Sequence, residues 1–309
     1  MGPIIYERAY AKINLYLDII KKNEDGYHDI VTIMQLVSLY DEIEIELIDR
    51  APISVEVTNA DLGIPQEKNL AYIAAEKFYD YLPYDPSARP HIKIKKNIPV
   101  ASGLAGGSAD AAAVLRGLNK RYKNPFTTKK LCEIALTIGS DVPFCVVGGT
   151  QVCQNRGEIV FGHRGIHHYN LLIAKAENKL STADQYRLLD EKFNNFEKYR
   201  YAVGYGETLS SYAGGRCRDA FAATKNVFDE LYDSESAVQK LKRFMIENDA
   251  YFSFLTGSGP SVVGVFPDSL YAEEAQQILT KQGIESYMCL PIGLEYEEMI
   301  DGKDPWWDY

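Results

Sequence analysis

A run of small residues that leads directly into an alanine-rich helix constrains this chain more than any other feature. From Ala101 to Ala109, every residue except Leu104 is Gly, Ala or Ser. Small side chains let the backbone approach a ligand closely, and the first turn of a helix presents unpaired N–H groups at the positive end of its dipole. Phosphate fits such a place. A tight turn packed against a neighbouring element is the alternative interpretation.

The run matches neither of two common phosphate-binding patterns. It lacks the GxxxxGK[ST] sequence of a Walker A loop and the GxGxxG sequence of dinucleotide-binding folds. We therefore predict a backbone cradle for phosphate, in which Ser108 either caps the helix or contacts a metal-bound phosphate oxygen. We call this segment the glycine-rich loop. It consists of Pro99, Val100, Ala101, Ser102, Gly103, Leu104, Ala105, Gly106, Gly107, Ser108 and Ala109.

Composition and charge exclude several classes of function. Of the 309 residues, 46% are hydrophobic and 25% are charged, as in a globular protein with one large domain or two average ones. The formal net charge of −10 disfavours nonspecific binding to nucleic acid or anionic lipid, but it leaves room for an anionic small molecule in a local basic pocket. The sequence has no signal-peptide h-region and no apolar run of membrane-spanning length, which predicts a cytoplasmic protein. We expect a monomer or a homodimer.

The spacing of cysteine and histidine does not indicate a structural metal site. The five cysteines are widely separated and form no CxxC pair, which favours reduced thiols over a zinc site or a disulfide framework. His163, His167 and His168 lie close together in the sequence. Because glycines flank them and no carboxylate stands at ligand spacing, we interpret this cluster as a solvated loop.

Periodicity predicts a mixture of strands and helices. Period-two alternation predicts strands, and apolar spacing with capping residues predicts helices. In the first part of the chain the predicted strands are 42–47, 53–57 and 92–95, and the predicted helices are 69–82, 108–122 and 128–139. The pattern changes near Gly165. Beyond it we predict a strand at 171–174, helices at 218–231 and 236–248, a strand–turn–strand at 251–266, a helix at 271–281 and a strand at 285–290.

Two further motifs accompany the glycine-rich loop in a fixed order. The sequence AKINL stands at 11–15 and the sequence LTGSGPS stands at 255–261. With the loop between them, they resemble the motifs of the GHMP kinases, the superfamily of galactokinase, homoserine, mevalonate and phosphomevalonate kinases. The sequences DGYH at 25–28 and GSDVPF at 139–144 fit best the branch that acts on 4-diphosphocytidyl-2-C-methyl-D-erythritol. The resemblance covers about residues 8–266.

The resemblance implies a two-domain α+β GHMP kinase fold with the site in the cleft between the domains. Residues 1–165 would form an N-terminal domain like the second domain of ribosomal protein S5, which binds ATP and carries catalysis. Residues 166–309 would form a ferredoxin-like C-terminal domain on the substrate side. The implied activity is ATP-dependent phosphorylation of the 2-hydroxyl of the acceptor, in the non-mevalonate route to isoprenoid precursors. ATP would bind at the glycine-rich loop, with Mg²⁺ bridging its phosphates.

The resemblance also assigns roles to individual residues. Asp141 matches the catalytic base and Lys12 matches the catalytic lysine, although alone each could be a helix cap or a solvated strand-edge residue. Acceptor contacts are expected from side chains near both ends of the chain. These are Asn14, Tyr27, His28, Thr182 and Tyr186. Tyr27 and Tyr186 would stack on the two faces of a cytosine ring, and His28 would contact its edge.

The chain departs from the family pattern inside the glycine-rich loop. Ala101, Ala105 and Ala109 stand where relatives often have Gly, Gly and Ser, so we expect that the loop needs no positive φ at these positions. Two other functions remain open. One is a small-alcohol kinase of the homoserine or mevalonate type. Its acceptor has no base, so Tyr27 and Tyr186 would have no ring to stack on. The other is a non-catalytic ligand sensor, which the retained Lys12 and Asp141 disfavour.

Overall fold

The computed structural model describes residues 4–155, 158–163, 169–176, 181–196, 205–213 and 216–293. Its strands are β1 Ile5–Lys22, β2 His28–Asp49, β3 Ser54–Val57, β4 Ala88–Lys95, β5 Thr150–Asn155, β6 Glu158–His163, β7 Asn170–Lys175, β8 Phe252–Leu255, β9 Ser261–Phe266 and β10 Ser286–Cys289. Its α-helices are α1 Leu70–Tyr81, α2 Gly106–Arg121, α3 Thr128–Leu136, α4 Val142–Val147, α5 Thr182–Lys192, α6 Tyr205–Ala213, α7 Cys217–Ala222, α8 Ala237–Glu247 and α9 Ser269–Lys281.

The first sheet is organised around two long strands. β1 and β2 pair antiparallel over most of their length, from Ile5 opposite Ile45 to Lys22 opposite His28. On its other edge β2 pairs with β5 through its first half and with β4 through its second half. β3 lies parallel to β4, and β6 lies antiparallel to β5. The pairing of β1 with β2 shifts register near Lys12, which marks this part of the strand as irregular.

The second sheet has four antiparallel strands in the order β10-β7-β9-β8. Helices lie in the chain between β7 and β8 and between β9 and β10, which is the ferredoxin-like arrangement. The predicted α+β class and the ferredoxin-like C-terminal domain are therefore confirmed. The predicted division between residues 165 and 166 falls outside the described residues and stays a prediction. Among the described residues, no helix is long and apolar enough to cross a membrane.

Capping residues explain where two of the predicted helices begin. The side chain of Asn69 accepts a hydrogen bond from the backbone N–H of Ala71, and α1 starts at the residue between them. The side chain of Thr127 accepts from the backbone N–H of Lys130 and starts α3 in the same way. Both helices match their sequence predictions to within three residues, because caps and apolar spacing are local signals.

The predicted helix at 218–231 is wrong. The structure has the short helix α7, an extended connection, and then a 3₁₀ turn at Val227–Leu231. In the connection, the backbone carbonyl of Lys225 accepts from the N–H of Leu17, and Asn226 pairs with Leu17 in a parallel bridge. Contact with β1 therefore holds this segment out of helical geometry, a tertiary effect that overrides helix propensity.

α2 crosses the first sheet at close range. Nearly all its residues from Ala109 to Asn119 are buried, which is why the helix is rich in alanine. At Gly117 an added Cβ would lie 2.7 Å from the end of the Ile45 side chain, which would have to shift to make room. This close packing fixes the direction in which the start of α2 points, toward the glycine-rich loop and the space in front of it.

A buried cluster of Asp41, Lys96 and Asp110 fixes the chain just before the glycine-rich loop. Nζ of Lys96 donates to Oδ2 of Asp41 and, at 2.8 Å, to Oδ2 of Asp110. Oδ1 of Asp41 accepts from the backbone N–H groups of Asn97 and Ile98, at 2.6 and 2.8 Å. Two carboxyl groups thus share one ammonium. Burial raises the pKa of Asp110 to about 8, with Lys96 opposing the shift and Asp41 adding to it.

We predict that Asp110→Asn weakens the pH dependence of stability. The unfolded carboxyl titrates near 3.8, whereas the folded carboxyl keeps its proton up to about pH 8, so the folded state binds more protons in this window. The Asp110 contribution to the free energy of unfolding therefore falls as pH rises, by up to about 1.4 kcal/mol per pH unit. Urea unfolding of wild type and variant between pH 5 and pH 8 measures the difference in slope.

Glu76→Gln provides the control for this prediction, because Glu76 is an exposed acid on α1. It should keep the wild-type slope. Identical slopes for wild type and Asp110→Asn would show that Asp110 does not hold a proton in the folded protein.

Candidate active site

A cleft of about 920 Å³ lies between residues of the first sheet with its helices and residues of the C-terminal part of the chain. Most of the predicted site residues line it. They are Lys12, Asn14, Tyr27, His28, Pro99, Val100, Ala101, Ser102, Gly103, Ala105, Gly106, Gly107, Ser108, Asp141, Thr182 and Tyr186. Leu104 and Ala109 are the exceptions, because their side chains are buried in the hydrophobic core beneath the loop. Their predicted part in nucleotide binding is thus limited to the backbone.

Lys12 and Asn14 lie on the same face of β1, as residues two apart on a strand do. Nζ of Lys12 donates to Oδ1 of Asn14 at 2.7 Å, and Nδ2 of Asn14 donates to Oγ1 of Thr32 at 2.7 Å. The hydroxyl of Thr32 in turn donates to the carbonyl of Tyr16. This chain of buried hydrogen bonds fixes the direction of the Lys12 ammonium.

Asp141 stands opposite Lys12 at the start of α4. Its Oδ2 lies 3.7 Å from Nζ of Lys12. The Asp141 side chain is 39% exposed, whereas that of Lys12 is only 5% exposed, so the carboxylate faces the cleft and the ammonium lies behind it. Asp141 occupies the N-cap position of α4, yet its side chain makes no capping hydrogen bond. Its carboxylate is therefore free of the structural task that an Asp at this position usually has.

The backbone of the glycine-rich loop corrects one expectation. Ala101 has φ +54° and Ala105 has φ +59°, and Gly103 between them has φ +83°. The expectation that the alanines need no positive φ is therefore wrong for Ala101 and Ala105, whereas it holds for Ala109 inside α2. A left-handed alanine costs roughly 1–2 kcal/mol, so surrounding contacts must hold the loop in this form. Alternating left-handed residues are typical of backbone nests, whose N–H groups converge on an anion.

The start of α2 lies next to this loop and adds further backbone N–H groups to the same surface. The helix begins at Gly106 with Ala105 as its N-cap, and no side chain caps it. The predicted capping role of Ser108 is wrong, because Ser108 is the third residue of the helix rather than the residue before it. The first N–H groups of α2 have no partner within the helix and lie at the positive end of its dipole, beside the cleft.

A second glycine-containing turn, at residues 256–260, lies with its backbone directly against that of the glycine-rich loop. An added Cβ on Gly103 would lie 2.8 Å from the carbonyl oxygen of Gly259, and one on Gly257 would lie 2.7 Å from that of Gly103. Neither position tolerates a side chain. Nδ2 of Asn226 holds the second turn from the other side by donating to the carbonyls of Leu255 and Gly257, at 2.9 and 2.8 Å.

Aromatic residues gather at the far end of the cleft. Tyr27 is 62% exposed and follows a turn in which its carbonyl accepts from the N–H of Asn23. The ring of His28 stacks on that of Tyr186, with centroids 4.7 Å apart and 18° between the planes. Burial raises the pKa of the Tyr186 hydroxyl to about 12, so this ring stays neutral. Thr182 lies nearby, with its hydroxyl 3.0 Å from that of Ser258.

The sequence interpretation missed several residues that support the site. They are Asp41, Lys96 and Asp110 next to the loop, Asn226 behind the second turn, and Asp190 beside His28. Two of them had a local signal: Asp110 is the one acid in an alanine-rich stretch, and Asp190 stands one helical turn after Tyr186. The partners of the others are distant in the sequence, so no local pattern could reveal them.

Metal ligands are sparse in the described part of the chain. No three His, Cys, Asp or Glu side chains are grouped there as they would be around a bound ion. The cluster of His163, His167 and His168 lies outside the residues whose side chains the structure describes. Ser108 lines the cleft at the uncapped helix start, where its hydroxyl could reach a phosphate-bound cation.

Two family models match the chain. Residues 69–149 match the GHMP kinases N terminal domain, and residues 215–285 match the GHMP kinases C terminal domain. The first match contains the glycine-rich loop and Asp141, and the second contains the turn at Gly257. The family models therefore include the parts of the chain that form the centre of the cleft.

Individual relatives and solved structures agree with these models. A 4-diphosphocytidyl-2-C-methyl-D-erythritol kinase of Caldicellulosiruptor bescii is 41% identical over 290 residues, which is 91% of this chain and 97% of the relative. A kinase of the same name from Clostridium novyi is 33% identical, over 93% of this chain and 100% of the relative.

A crystal structure of 4-(cytidine 5'-diphospho)-2C-methyl-D-erythritol kinase superposes with a TM-score of 0.75 at 22% identity, covering 94% and 100% of the two chains. The L. major mevalonate kinase in complex with R-mevalonate superposes with a TM-score of 0.72 at 17% identity. The match covers 95% of this chain and 97% of the mevalonate kinase. These structures share the fold. Through its sequence relatives, the chain belongs to the family of 4-diphosphocytidyl-2-C-methyl-D-erythritol kinases within the GHMP kinases.

Proposed function

We propose that this protein transfers the γ-phosphoryl group of ATP to the 2-hydroxyl of 4-diphosphocytidyl-2-C-methyl-D-erythritol, in the non-mevalonate route to isoprenoid precursors. One observation carries the mechanism: Lys12 and Asp141 face each other at 3.7 Å beside an uncapped helix start in the same cleft. The family membership supports the acceptor. We further propose that the enzyme works in the cytoplasm as a monomer or homodimer.

The glycine-rich loop and the start of α2 bind the triphosphate. Their backbone N–H groups offset its negative charge without requiring a cluster of cationic side chains, which suits a protein of net charge −10. The hydroxyl of Ser108 would be the protein ligand of a Mg²⁺ ion bound with the triphosphate, and such an ion would supply positive charge to the phosphates. The residues present fit this arrangement, since Ser108 caps no helix and lines the cleft.

Asp141 and Lys12 act on the acceptor hydroxyl. The exposed carboxylate of Asp141 accepts the proton as the hydroxyl oxygen attacks phosphorus. The buried ammonium of Lys12, 3.7 Å away, orients this carboxylate and stabilises negative charge on the phosphoryl group. Asn14 holds Lys12 through its Oδ1 and is itself held by Thr32, so its role is to position Lys12 as well as to contact the acceptor.

The aromatic end of the cleft binds the cytosine ring. A neutral cytosine has two apolar faces and a polar edge, so its pocket needs aromatic surfaces and fixed hydrogen-bonding groups. We assign one face to Tyr27, the other to Tyr186 and the edge to His28. The hydroxyl of Thr182 lies 3.0 Å from that of Ser258. We assign Thr182 to the part of the acceptor that joins the base to the reacting hydroxyl.

A homoserine or mevalonate kinase activity is the competing proposal, because kinases of these types share the fold. Their acceptors have no base, so the stacked His28 and Tyr186 would serve no purpose. ADP release measured side by side with the cytidyl acceptor, homoserine and mevalonate tests the proposal. Turnover of the cytidyl acceptor alone supports it, turnover of another acceptor contradicts it, and ligand binding without ADP release would identify a sensor.

We predict that Asp141→Asn lowers kcat by a factor of about 10² to 10⁴, the usual contribution of a general base. The amide keeps the shape of the side chain but cannot take up the hydroxyl proton. ATP affinity should be nearly unchanged, because the phosphates lie on the loop. Steady-state kinetics and calorimetric titration with a non-hydrolysable ATP analogue measure the two effects. Asp80→Asn, an exposed aspartate on α1, is the control, and a loss in Asp141→Asn of less than tenfold would contradict the assignment.

We predict that Gly107→Val weakens ATP binding at least about tenfold while the fold persists. An added Cβ at Gly107 would lie 3.6 Å from Leu70, an ordinary contact, whereas one at Gly106 would crowd Ile98 and Lys96. The protein can therefore accept a side chain at Gly107, but an approaching phosphate cannot. Titration with the ATP analogue and a thermal melt measure the two properties. Gly206→Val in α6, where a Cβ meets nothing within 4 Å, is the control. Unaltered affinity would mean that the loop is not the phosphate site.

We predict that Tyr27→Ala raises the acceptor KM about 5- to 150-fold, from the ~1–3 kcal/mol that stacking contributes per base. The KM for ATP should hardly change, because the adenine lies elsewhere in the cleft. Since Tyr27 is 62% exposed, the variant should fold normally. Tyr6→Ala, at an equally exposed tyrosine on β1, is the matched control. Weaker ATP binding with an unchanged acceptor KM would reverse the assignment of the pocket.

A further inference from the structure

The imidazole of His28 is held from three directions at the aromatic end of the cleft. Its Nε2 lies 2.7 Å from Oδ1 of Asp190, Tyr186 stacks on its face, and Phe196 meets it edge-on at 5.7 Å. The His28 side chain is only 6% exposed. Tyr186 and Asp190 are four residues apart on α5, so one helix face provides both the stacking ring and the carboxylate. The orientation of the imidazole is therefore set before any ligand arrives.

Lys22 occupies the other oxygen of the same carboxylate. Its Nζ lies 2.7 Å from Oδ2 of Asp190 and 3.1 Å from Oδ1 of Asn195. The charge of Asp190 is thus balanced by an ammonium that two acceptors hold in place. Consequently, the His28 ring needs no charge of its own to remain beside Asp190.

The position of the carboxylate decides which ring nitrogen of His28 carries the proton. An ionised carboxylate only accepts hydrogen bonds, so Nε2 must be the donor, and the other nitrogen of a neutral imidazole is then an acceptor. Among the described residues, the hydrogen bond that the His28 ring makes is the one between Nε2 and Asp190, which leaves Nδ1 available. We infer that Asp190 is a positioning residue that keeps His28 in the Nε2–H tautomer and presents Nδ1 as an acceptor to the ligand.

The Nε2–H tautomer of His28 favours cytosine over uracil. Cytosine carries an amino donor at its N4 position, whereas uracil carries a carbonyl acceptor at the corresponding place. Nδ1 of His28 accepts a hydrogen bond from the amino group and opposes the carbonyl. Asp190 therefore acts through His28 as a determinant of amino over keto bases. The inference rests on the proposed function for the identity of the ligand, but the tautomer can be measured without it.

Asp190→Asn should reverse the tautomer. Lys22 can only donate, so the single oxygen of the new amide turns toward it. The amide nitrogen then faces Nε2 of His28, which becomes the acceptor, and the ring proton resides on Nδ1. The ring now presents a donor to the ligand, which suits a carbonyl rather than an amino group.

Nitrogen-15 NMR of the full chain labelled at its five histidines reports the tautomer directly, with His28→Gln identifying the signal. At pH 8 we expect Nε2–H in wild type and Nδ1–H in Asp190→Asn. Kinase assays with cytidine- and uridine-diphosphate-linked methylerythritol should then show the cytidine preference falling about tenfold or more, mainly through KM. Asp29→Asn is the matched control, because the Asp29 carboxylate pairs with Lys21 at 3.4 Å and accepts from Asn23 at 2.6 Å rather than from the His28 ring.

Two results on the tautomer and two on selectivity would overturn the inference. An Nδ1–H or doubly protonated His28 in wild type would do so without any variant, even if Asp190→Asn failed to fold. The inference is also wrong if the tautomer shifts in Asp190→Asn but the base preference stays the same. It is equally wrong if activity toward both acceptors falls by the same factor. If wild type phosphorylates neither acceptor, the proposed function fails, and the NMR comparison alone decides whether Asp190 sets the tautomer.

Discussion

The backbone contact between the two glycine turns is the constraint on which the rest of the site depends. Gly103 and Gly257 approach so closely that a Cβ on either would meet a carbonyl oxygen of the opposite turn. β1 fixes both turns at once: the N–H of Lys12 donates to the carbonyl of Leu104, and the N–H of Asn14 donates to Oγ1 of Thr256. The strand that carries the Lys12 ammonium therefore also positions the glycine-rich loop, through hydrogen bonds made by its own backbone.

Two of the ammonium groups that line the cleft are held by neighbouring side chains. The ammonium of Lys96 lies between two buried carboxyl groups, and that of Lys12 lies between Asn14 and Asp141. Each is thereby held in one place, and neither adds much net positive charge. In the proposed ATP complex, the N–H groups of the loop and of α2 would contact the triphosphate, and their dipoles are fixed in advance. Preorganised dipoles of this kind need no rearrangement as charge develops during phosphoryl transfer.

In the proposed complex, different parts of the fold recognise the two ends of the acceptor. The reacting hydroxyl would meet side chains of β1 and of the start of α4. The base would meet Tyr186 on α5 and His28 at the start of β2, while Asp190 on α5 holds His28 in place. Because β1 and β2 pair over most of their length, they form a common frame for both ends. Specificity and catalysis can then change independently, since the residues that decide each are on separate elements.

The sequence by itself determined the features that depend on local rules. Caps and apolar spacing located α1 and α3, alternation located β4, and the small-residue run located the loop and the start of α2. It could not determine the φ of Ala101 and Ala105, because packing of the loop against distant elements imposes the strain. Nor could it reveal the break at Asn226 or the pairing of His28 with Asp190. These depend on contacts between residues far apart in the chain, which leave no periodic trace and exist only once the domains have packed.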